Sequence, residues 1–141
     1  VGNLVNLTSC YLYSNNLTGI IPRELGMLNE LLRLDLSNNL LTSSLLHLGD
    51  SNAFTYLKVT NNELTSFPFS KNWKHLETLD LTQNKIHQDI STNLASLSSM
   101  KDLLLSNNFF YGSLPNSIKY LDRVERIHLD HNNLFGTIPD D

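Results

Sequence analysis

The residues of this 141-residue chain that could do chemistry lie close together near its C-terminal end. His128, Asp130 and His131 fall within four consecutive positions, and imidazole and carboxylate groups can bind a transition metal or exchange a proton near neutral pH. In a strand, His128 and Asp130 would share one face. No third strong ligand follows at a suitable spacing, so we predict neither a metal site nor a catalytic site here.

Two other carboxylates, Asp35 and Asp80, recur at equivalent positions between apolar residues. If their segments are alternate strands of one sheet, with Lys58 on the strand between, they lie about 9–10 Å apart. That distance suits a charge-paired surface better than a catalytic pair. The sequence also has no glycine-rich phosphate loop, nucleophile elbow or paired-histidine metal motif. We therefore predict a protein without enzyme activity, cofactor or bound metal.

The composition excludes several classes of partner. The net charge is −4 and the pI is about 5.6, whereas nucleic acids and anionic membranes favour basic surfaces. No apolar run approaches the ~20 residues of a membrane span, so we predict no membrane insertion by this segment. Cys10 is the single cysteine, which excludes an internal disulfide, and we expect it to be a buried, inert core residue.

Six copies of one block follow one another along the chain. Each block has an apolar residue, two spacers, an apolar residue, one spacer, an apolar residue, two spacers, an asparagine, one spacer and a last apolar residue. Leucine and asparagine dominate these slots and account for 29 and 18 of the 141 residues. The asparagine slot, spaced by 24, 23, 22, 24 and 24 residues, is occupied by Asn15, Asn39, Asn62, Asn84, Asn108 and Asn132.

The block predicts a stack of strands. Its centre, such as Leu34-Asp35-Leu36, alternates with the period of a strand that is buried on one face. One repeat cannot bury that face alone, so stacked repeats must form a continuous parallel sheet. We expect each repeated asparagine to bond backbone groups inside the coil. Residues 22–28 and 117–121 are expected to form short helical turns on the opposite side.

The block resembles the consensus of the leucine-rich-repeat family. Residues 17–22, 110–115 and 134–139 are similar to the Leu-x-Gly-x-Ile-Pro extension of the plant-type subclass, as found in extracellular regions of plant receptor-like kinases and receptor-like proteins. The resemblance implies an α/β solenoid, a right-handed coil with a curved parallel sheet on the concave face and short helical turns on the convex side. The extension is replaced in repeats 2, 3 and 4 by Ser43-Ser44-Leu45-Leu46, Ser66-Phe67-Pro68 and Gln88-Asp89-Ile90.

We expect residues 1–141 to be one domain of six repeats. The chain opens directly on repeat sequence and ends after Ile138-Pro139, without the paired-cysteine caps that plant-type ectodomains carry. Solenoids require capped ends. We therefore expect both caps to be lacking and the chain to be a segment of a longer protein.

Residues that flank the strand apolars should form columns on the concave face. These columns mix aromatic, cationic, anionic and apolar side chains, and interfaces are enriched in tyrosine and arginine. The predicted ligand-binding residues are Tyr11, Tyr13, Arg33, Asp35, Tyr56, Lys58, Asp80, Leu104, Arg126 and His128.

The resemblance implies a ligand-recognition segment of a receptor-like ectodomain that binds a peptide or protein. Phe109 and Tyr111 would either form a lateral patch for a co-receptor or pack on the neighbouring coil. Two alternatives are a secreted protein inhibitor of a cell-wall-degrading enzyme and a structural or ice-interacting solenoid. The second rests on a column of hydroxyl residues, Ser37, Thr60, Thr82 and Ser106. A further hypothesis is an intracellular repeat protein.

Two glycosylation sequons begin at Asn6 and Asn16. Asn16 directly follows a repeated asparagine and should be exposed, which makes it the better acceptor. The sequons, with the resemblance, predict an extracellular or cell-surface location.

Overall fold

A parallel sheet with one strand from each repeat forms one face of the molecule. The computed structural model describes residues 2–91 and 94–140; Val1, Thr92, Asn93 and Asp141, which the predicted 1–141 domain includes, lie outside them. In these two ranges the sheet has six strands in chain order: Ser9–Tyr11, Arg33–Asp35, Tyr56–Lys58, Thr78–Asp80, Asp102–Leu104 and Arg126–His128. The predicted α/β solenoid is confirmed.

The strands pair without any shift of register. Leu34, Leu57, Leu79 and Leu103 occupy equivalent strand centres and are fully buried. Ile127, at the same position in the last strand, is 37% exposed because its coil has a neighbour on one side only. The uniform register follows from the period of two, since a one-residue slip would turn every leucine to solvent.

Cys10 corrects one expectation. It occupies the strand-centre position of the first coil, opposite Leu34, but it is only half-buried against the core. Within the described residues its strand pairs with the strand Arg33–Asp35 alone, which leaves the thiol partly open. Even this partial burial raises the pKa of the Cys10 thiol above its ordinary value, because a thiolate would lose hydration there.

The repeated asparagines join each coil to the one before it. The Asn84 amide donates to the carbonyls of Leu81 in its own coil and Val59 in the preceding coil, at 3.0 and 2.9 Å. Its Oδ1 accepts the N–H of Leu64, also in the preceding coil, at 3.1 Å. The same three-point contact recurs at Asn39, Asn62, Asn108 and Asn132.

A left-handed residue stands directly before each repeated asparagine. The six positions have φ between 53 and 56° and are Ser14, Asn38, Asn61, Gln83, Asn107 and His131. Asparagine and histidine are among the few non-glycine residues that adopt this conformation readily. Three of the five asparagine pairs in the sequence therefore have a backbone explanation, and so does the type of residue at position 131.

The opposite side of the coils carries short 3-10 helices in the described ranges. They span Arg23–Met27, Leu46–Asp50, Leu94–Ser96 and Asn116–Tyr120. Pro22 and Pro115 directly precede the first and last of them, where a fixed extended φ starts the turn without losing a helical donor. The predicted turns of residues 22–28 and 117–121 are thus present.

Repeat 3, which lacks the Gly-x-Ile-Pro extension, fills its interior with aromatic rings instead. Phe67 packs against Phe69 and Trp73 with ring centroids 5.2 and 4.9 Å apart, and Phe69 contacts Phe110 of repeat 5. The buried Trp73 indole donates to the carbonyl of Leu48 in the preceding coil at 3.2 Å. The departure from the plant-type pattern therefore changes the packing inside this coil, while the coil still stacks on the preceding one.

A second set of short strands borders the main sheet. Thr18–Gly19, Leu40–Ser44 and Glu63–Ser66 form one parallel ladder, and Tyr111–Gly112 pairs with Asn133–Leu134 in another. A single bridge from Asp89 to Tyr111 lies between them. No helix in the described ranges has the length and apolar character that would cross a bilayer.

We predict that loss of an interior ladder asparagine destabilises the protein far more than loss of the first one. Asn84→Ala leaves three or more backbone groups unpaired, each costing about 1–3 kcal/mol. In the described residues, the Asn15 amide donates only to the carbonyls of Leu12 and Tyr13 in its own coil, and Asn15 is exposed. Urea unfolding of Asn84→Ala and Asn15→Ala compares the two; equal losses would contradict the inter-coil role.

Candidate ligand-binding face

The strand register assembles nine of the ten predicted residues, all but Tyr13, into two continuous columns on the concave face of the sheet. The central column reads Tyr11, Asp35, Lys58, Asp80, Leu104 and His128, and the column before it reads Ser9, Arg33, Tyr56, Thr78, Asp102 and Arg126. Exposure falls toward the middle of the stack. Tyr11 and Tyr13 are 51% and 54% exposed, whereas Asp80 is 8% exposed.

A shallow depression lies on this face between repeats 1 and 4. It has a volume of about 260 Å³ and is open to solvent. Its lining consists of Tyr13, Asp35, Ser37, Asn38, Lys58, Thr60 and Asp80. The structure thus brings four of the ten predicted ligand-binding residues together in one place.

The charges of the depression are unevenly compensated. Lys58 Nζ lies 3.8 Å from Asp80 Oδ2 and 5.7 Å from the centre of the Tyr56 ring. Each carboxylate also accepts a backbone N–H from the residue two positions further on. The N–H of Ser37 donates to Asp35 Oδ1, and the N–H of Thr82 donates to Asp80 Oδ1. In residues 2–91 and 94–140, no cationic side chain comes within 4.0 Å of Asp35. Burial is the main reason that the pKa of Tyr56 is raised, and Asp35 adds to it.

Two buried hydroxyls line the same depression. Ser37 Oγ and Thr60 Oγ1 are enclosed and have no hydrogen-bond partner in the described part of the chain. Ser37 is 7% exposed, and a buried polar group without a partner costs about 1–3 kcal/mol. Such groups call for a specific explanation in a folded protein. The predicted site residues did not include these two hydroxyls; only their place in the hydroxyl column pointed to them.

The C-terminal part of the face carries an ion pair. Arg126 Nε lies 2.5 Å from Asp102 Oδ1, and the Thr78 hydroxyl donates to Asp102 Oδ2 at 3.2 Å. The bond from Arg126 is the main reason that the pKa of Asp102 is lowered, and the same pair raises the pKa of Arg126. Arg126 is therefore already engaged on the face.

The His128, Asp130 and His131 segment has the geometry of a surface network. Asp130 takes a hydrogen bond from the Ser106 hydroxyl at 2.5 Å and contacts His131 Nδ1 at 2.9 Å, which together lower the pKa of Asp130. The carboxylate thus stands between hydroxyl and imidazole, so the imidazole is not placed to take the hydroxyl proton. In the residues that the structure describes, no three His, Cys, Asp or Glu side chains group as metal ligands.

Aromatic side chains stand exposed at the side of the stack. Phe109 and Tyr111 are 49% and 39% exposed, while Phe110 between them is fully buried. The Tyr111 ring lies 5.0 Å from the His87 ring of the preceding coil. The expected packing on the neighbouring coil therefore holds for part of the Tyr111 ring. Much of the Phe109 and Tyr111 side chains faces solvent.

Comparison with known proteins agrees with this geometry. The Leucine Rich Repeat family model matches residues 6–28, 75–97 and 99–121, which contain the blocks of repeats 1, 4 and 5. The chain belongs to the leucine-rich-repeat family. The three unmatched repeats keep the strand and the asparagine, as their hydrogen bonds show.

The relatives of this leucine-rich-repeat chain are mostly plant receptor proteins. Receptor-like protein 39 of Arabidopsis thaliana is 35% identical over 143 residues, covering 94% of this chain and 16% of the relative. Receptor-like protein 41 of the same plant is 29% identical, covering 98% and 16%. The chain thus spans about one sixth of the length of these relatives.

Solved receptor ectodomains superpose on nearly the whole chain. The ectodomain of the Arabidopsis thaliana membrane receptor kinase GASSHO1/SCHENGEN3, in complex with CASPARIAN STRIP INTEGRITY FACTOR 2, matches with a TM-score of 0.94 and 33% identity; the match covers 99% of this chain and 17% of that one. The Arabidopsis receptor kinase HAESA, in complex with the peptide hormone IDA and the co-receptor SERK1, matches with a TM-score of 0.91 and 26% identity, covering 98% and 24%.

We predict that the Asp102 pair makes the leucine-rich-repeat stack more sensitive to acid. Because the pKa of Asp102 is lowered in the folded state, its stabilisation is present above the unfolded pKa of about 3.9 and is lost as the pH falls through the lower folded value. Asp102→Asn should therefore reduce the free energy of unfolding at pH 7 and have little effect at pH 2. Asp122→Asn is the control, since Asp122 is exposed and has no ion-pair partner within 4.0 Å in the described residues. An Asp102→Asn difference that is constant with pH would contradict the prediction.

Proposed function

We propose that this chain is a ligand-recognition segment of a receptor-like ectodomain that binds a peptide or protein on its concave face. The observation that carries the proposal is the depression with its two buried, unpartnered hydroxyls, flanked by the exposed rings of Tyr11 and Tyr13. A face that only kept the solenoid in solution would need neither enclosed hydroxyls nor exposed tyrosines.

The dimensions of the face suit an extended peptide. Five inter-strand steps of about 4.8 Å span about 24 Å, the length of roughly seven extended residues. A peptide lying across the strands would contact the tyrosines at one end and the paired Arg126 and Asp102 at the other. Tyrosines lose little conformational entropy on binding and often carry most of the affinity.

The relatives support a partner of this kind. HAESA is solved in complex with a peptide hormone and a co-receptor. PEPR1, another solved structure to which this chain is similar, is in complex with AtPEP1. By analogy, we assign the exposed patch of Phe109 and Tyr111 to a second protein such as a co-receptor, and the chain to the cell surface or the extracellular space. The hydroxyl column gives less support to an ice-interacting solenoid, because Ser37 and Ser106 are buried and Ser106 bonds Asp130.

Peptide selection tests the concave face. We predict that peptides selected from a displayed random library against the chain bind Tyr11→Ala and Lys58→Ala about tenfold or more weakly, as expected for residues that anchor a bound peptide. Arg33→Ala and Tyr56→Ala should weaken them less, because both lie in the column before the central one and neither lines the depression. Tyr120→Ala is the matched control, since Tyr120 is 63% exposed on the helix Asn116–Tyr120 of the opposite side. Four concave variants with unchanged affinity, or a Tyr120 effect as large as that of Tyr11, would overturn the proposal.

A second prediction tests the extracellular assignment. When the chain is expressed through a eukaryotic secretory pathway, a glycan should be added at Asn16, which is exposed. Enzymatic deglycosylation should lower the mass of the wild type, and Asn16→Gln should lose most of that shift. Asn6→Gln is the comparison, since Asn6 is also exposed. A secreted chain whose mass is unchanged by deglycosylation would contradict both sequons as acceptors.

A further inference from the structure

The depression of the concave face has one carboxylate without an ion-pair partner within 4.0 Å in the described residues. Asp35 and Asp80 are equivalent in sequence, in register and in the backbone N–H that each accepts. They differ in their surroundings: Asp80 has the Lys58 ammonium 3.8 Å away, and Asp35 has no cation within 4.0 Å in the described part of the chain. With two carboxylates and one ammonium, the depression carries a net charge of −1.

The position of Lys58 strengthens the difference. Its ammonium lies close to Asp80 and 5.7 Å from the centre of the Tyr56 ring, so two partners hold it. The carboxylate of Asp80 is also the more enclosed, with its side chain 11% exposed against 32% for Lys58. A partly buried pair of this kind is screened less by salt than an exposed pair. Lys58 therefore pairs with Asp80, and the carboxylate of Asp35 remains available to a cationic group of a ligand.

The groups around Asp35 indicate what that partner is. Tyr11 stands opposite Asp35 on the next strand, and Tyr13 lines the depression beside it. Aromatic faces attract cations, because the face of the ring carries negative charge density. Ser37 follows Asp35 by two residues, and its buried oxygen lacks a donor in the described residues. A carboxylate, two tyrosine rings and a free hydroxyl oxygen together suit a cationic group that donates several hydrogen bonds.

We infer that the depression binds one cationic group of the ligand, a guanidinium or an ammonium, with Asp35 as its counter-ion. This inference rests on the proposed function and adds the chemical class of the residue that the face selects. The cation lies between Asp35 and the tyrosine rings and donates to the Asp35 carboxylate and to Ser37 Oγ. Thr60, the equivalent residue one coil further on, offers a second buried oxygen on the Lys58 side.

Small cations test the site without knowledge of the ligand. The probe is N-acetyl-arginine amide, with N-acetyl-lysine amide as a second cation and N-acetyl-citrulline amide as the uncharged analogue of arginine. Amide chemical shifts in ¹⁵N-labelled chain report the contact. We expect at least one cation to shift the amides of Asp35, Ser37 and Thr60 with an affinity about tenfold higher than that of citrulline, because hydrogen bonds to a charged group are stronger than those between neutral groups.

Matched variants locate the counter-ion. Asp35→Asn keeps an oxygen that can accept the N–H of Ser37, so the chain should fold, and cation binding should fall about tenfold. Asp80→Asn makes the same change at the equivalent position and should have a much smaller effect, because it removes a charge that Lys58 already balances. The amide spectra of both variants check that the fold is kept.

Four outcomes of the titrations overturn the inference. They are equal binding of citrulline and the cations, no binding of either cation, an effect of Asp80→Asn as large as that of Asp35→Asn, and binding of methyl glucoside in place of the cations. The last outcome would show that the depression recognises a polyol. Library peptides that bind the concave face without any enriched basic residue would overturn the inference and leave the proposed function standing. A library that yields no concave-face binder would count against the proposed function, while the arginine titration would still report on the cation site.

Discussion

The amide of the ladder asparagine is the interaction on which the rest of this structure depends. Each interior ladder residue donates to a carbonyl of its own coil and to one of the coil before it, and accepts an N–H of that same earlier coil. Only a side chain with two donors and an acceptor can make this set: a serine hydroxyl has a single donor, and an ionised aspartate has none. Because the contacts run backwards along the chain, each coil is completed by the next one. The stack therefore gains stability from neighbours, as in other quasi-one-dimensional proteins.

The ladder also determines where the recognition face lies. The turn at each asparagine gives every coil the same path, so the strands pair in register. Equivalent residues therefore line up in columns. A column brings together residues that are more than twenty positions apart, such as Asp35, Lys58 and Asp80. Their charges then interact across strands rather than along the chain, and this cross-strand pairing leaves Asp35 uncompensated. The chemistry of the face is thus a consequence of the coil length.

Much of the fold could be predicted because it is local and repeated. The asparagine slot, the period of two and the proline-led turns each depend on a few adjacent residues, and the structure has them all. Two features could not be predicted in this way. The half-burial of Cys10 depends on the number of coils that pack against it, and the aromatic packing of Phe67, Phe69 and Trp73 depends on the space left by a missing Gly-x-Ile-Pro segment. Neither feature can be predicted from the consensus of the repeat.

The sequence by itself determined the coil, the strand face and the identity of the columns, since backbone geometry and side-chain alternation settle these within each repeat. Only the tertiary structure decided which members of a column are engaged. It paired Arg126 with Asp102 and Ser106 with Asp130, and it enclosed the hydroxyls of Ser37 and Thr60 without a partner among the described residues. The physical reason is that pairing depends on distances of a few ångströms between side chains of different coils. The order of residues along the chain does not specify those distances until the coils are stacked.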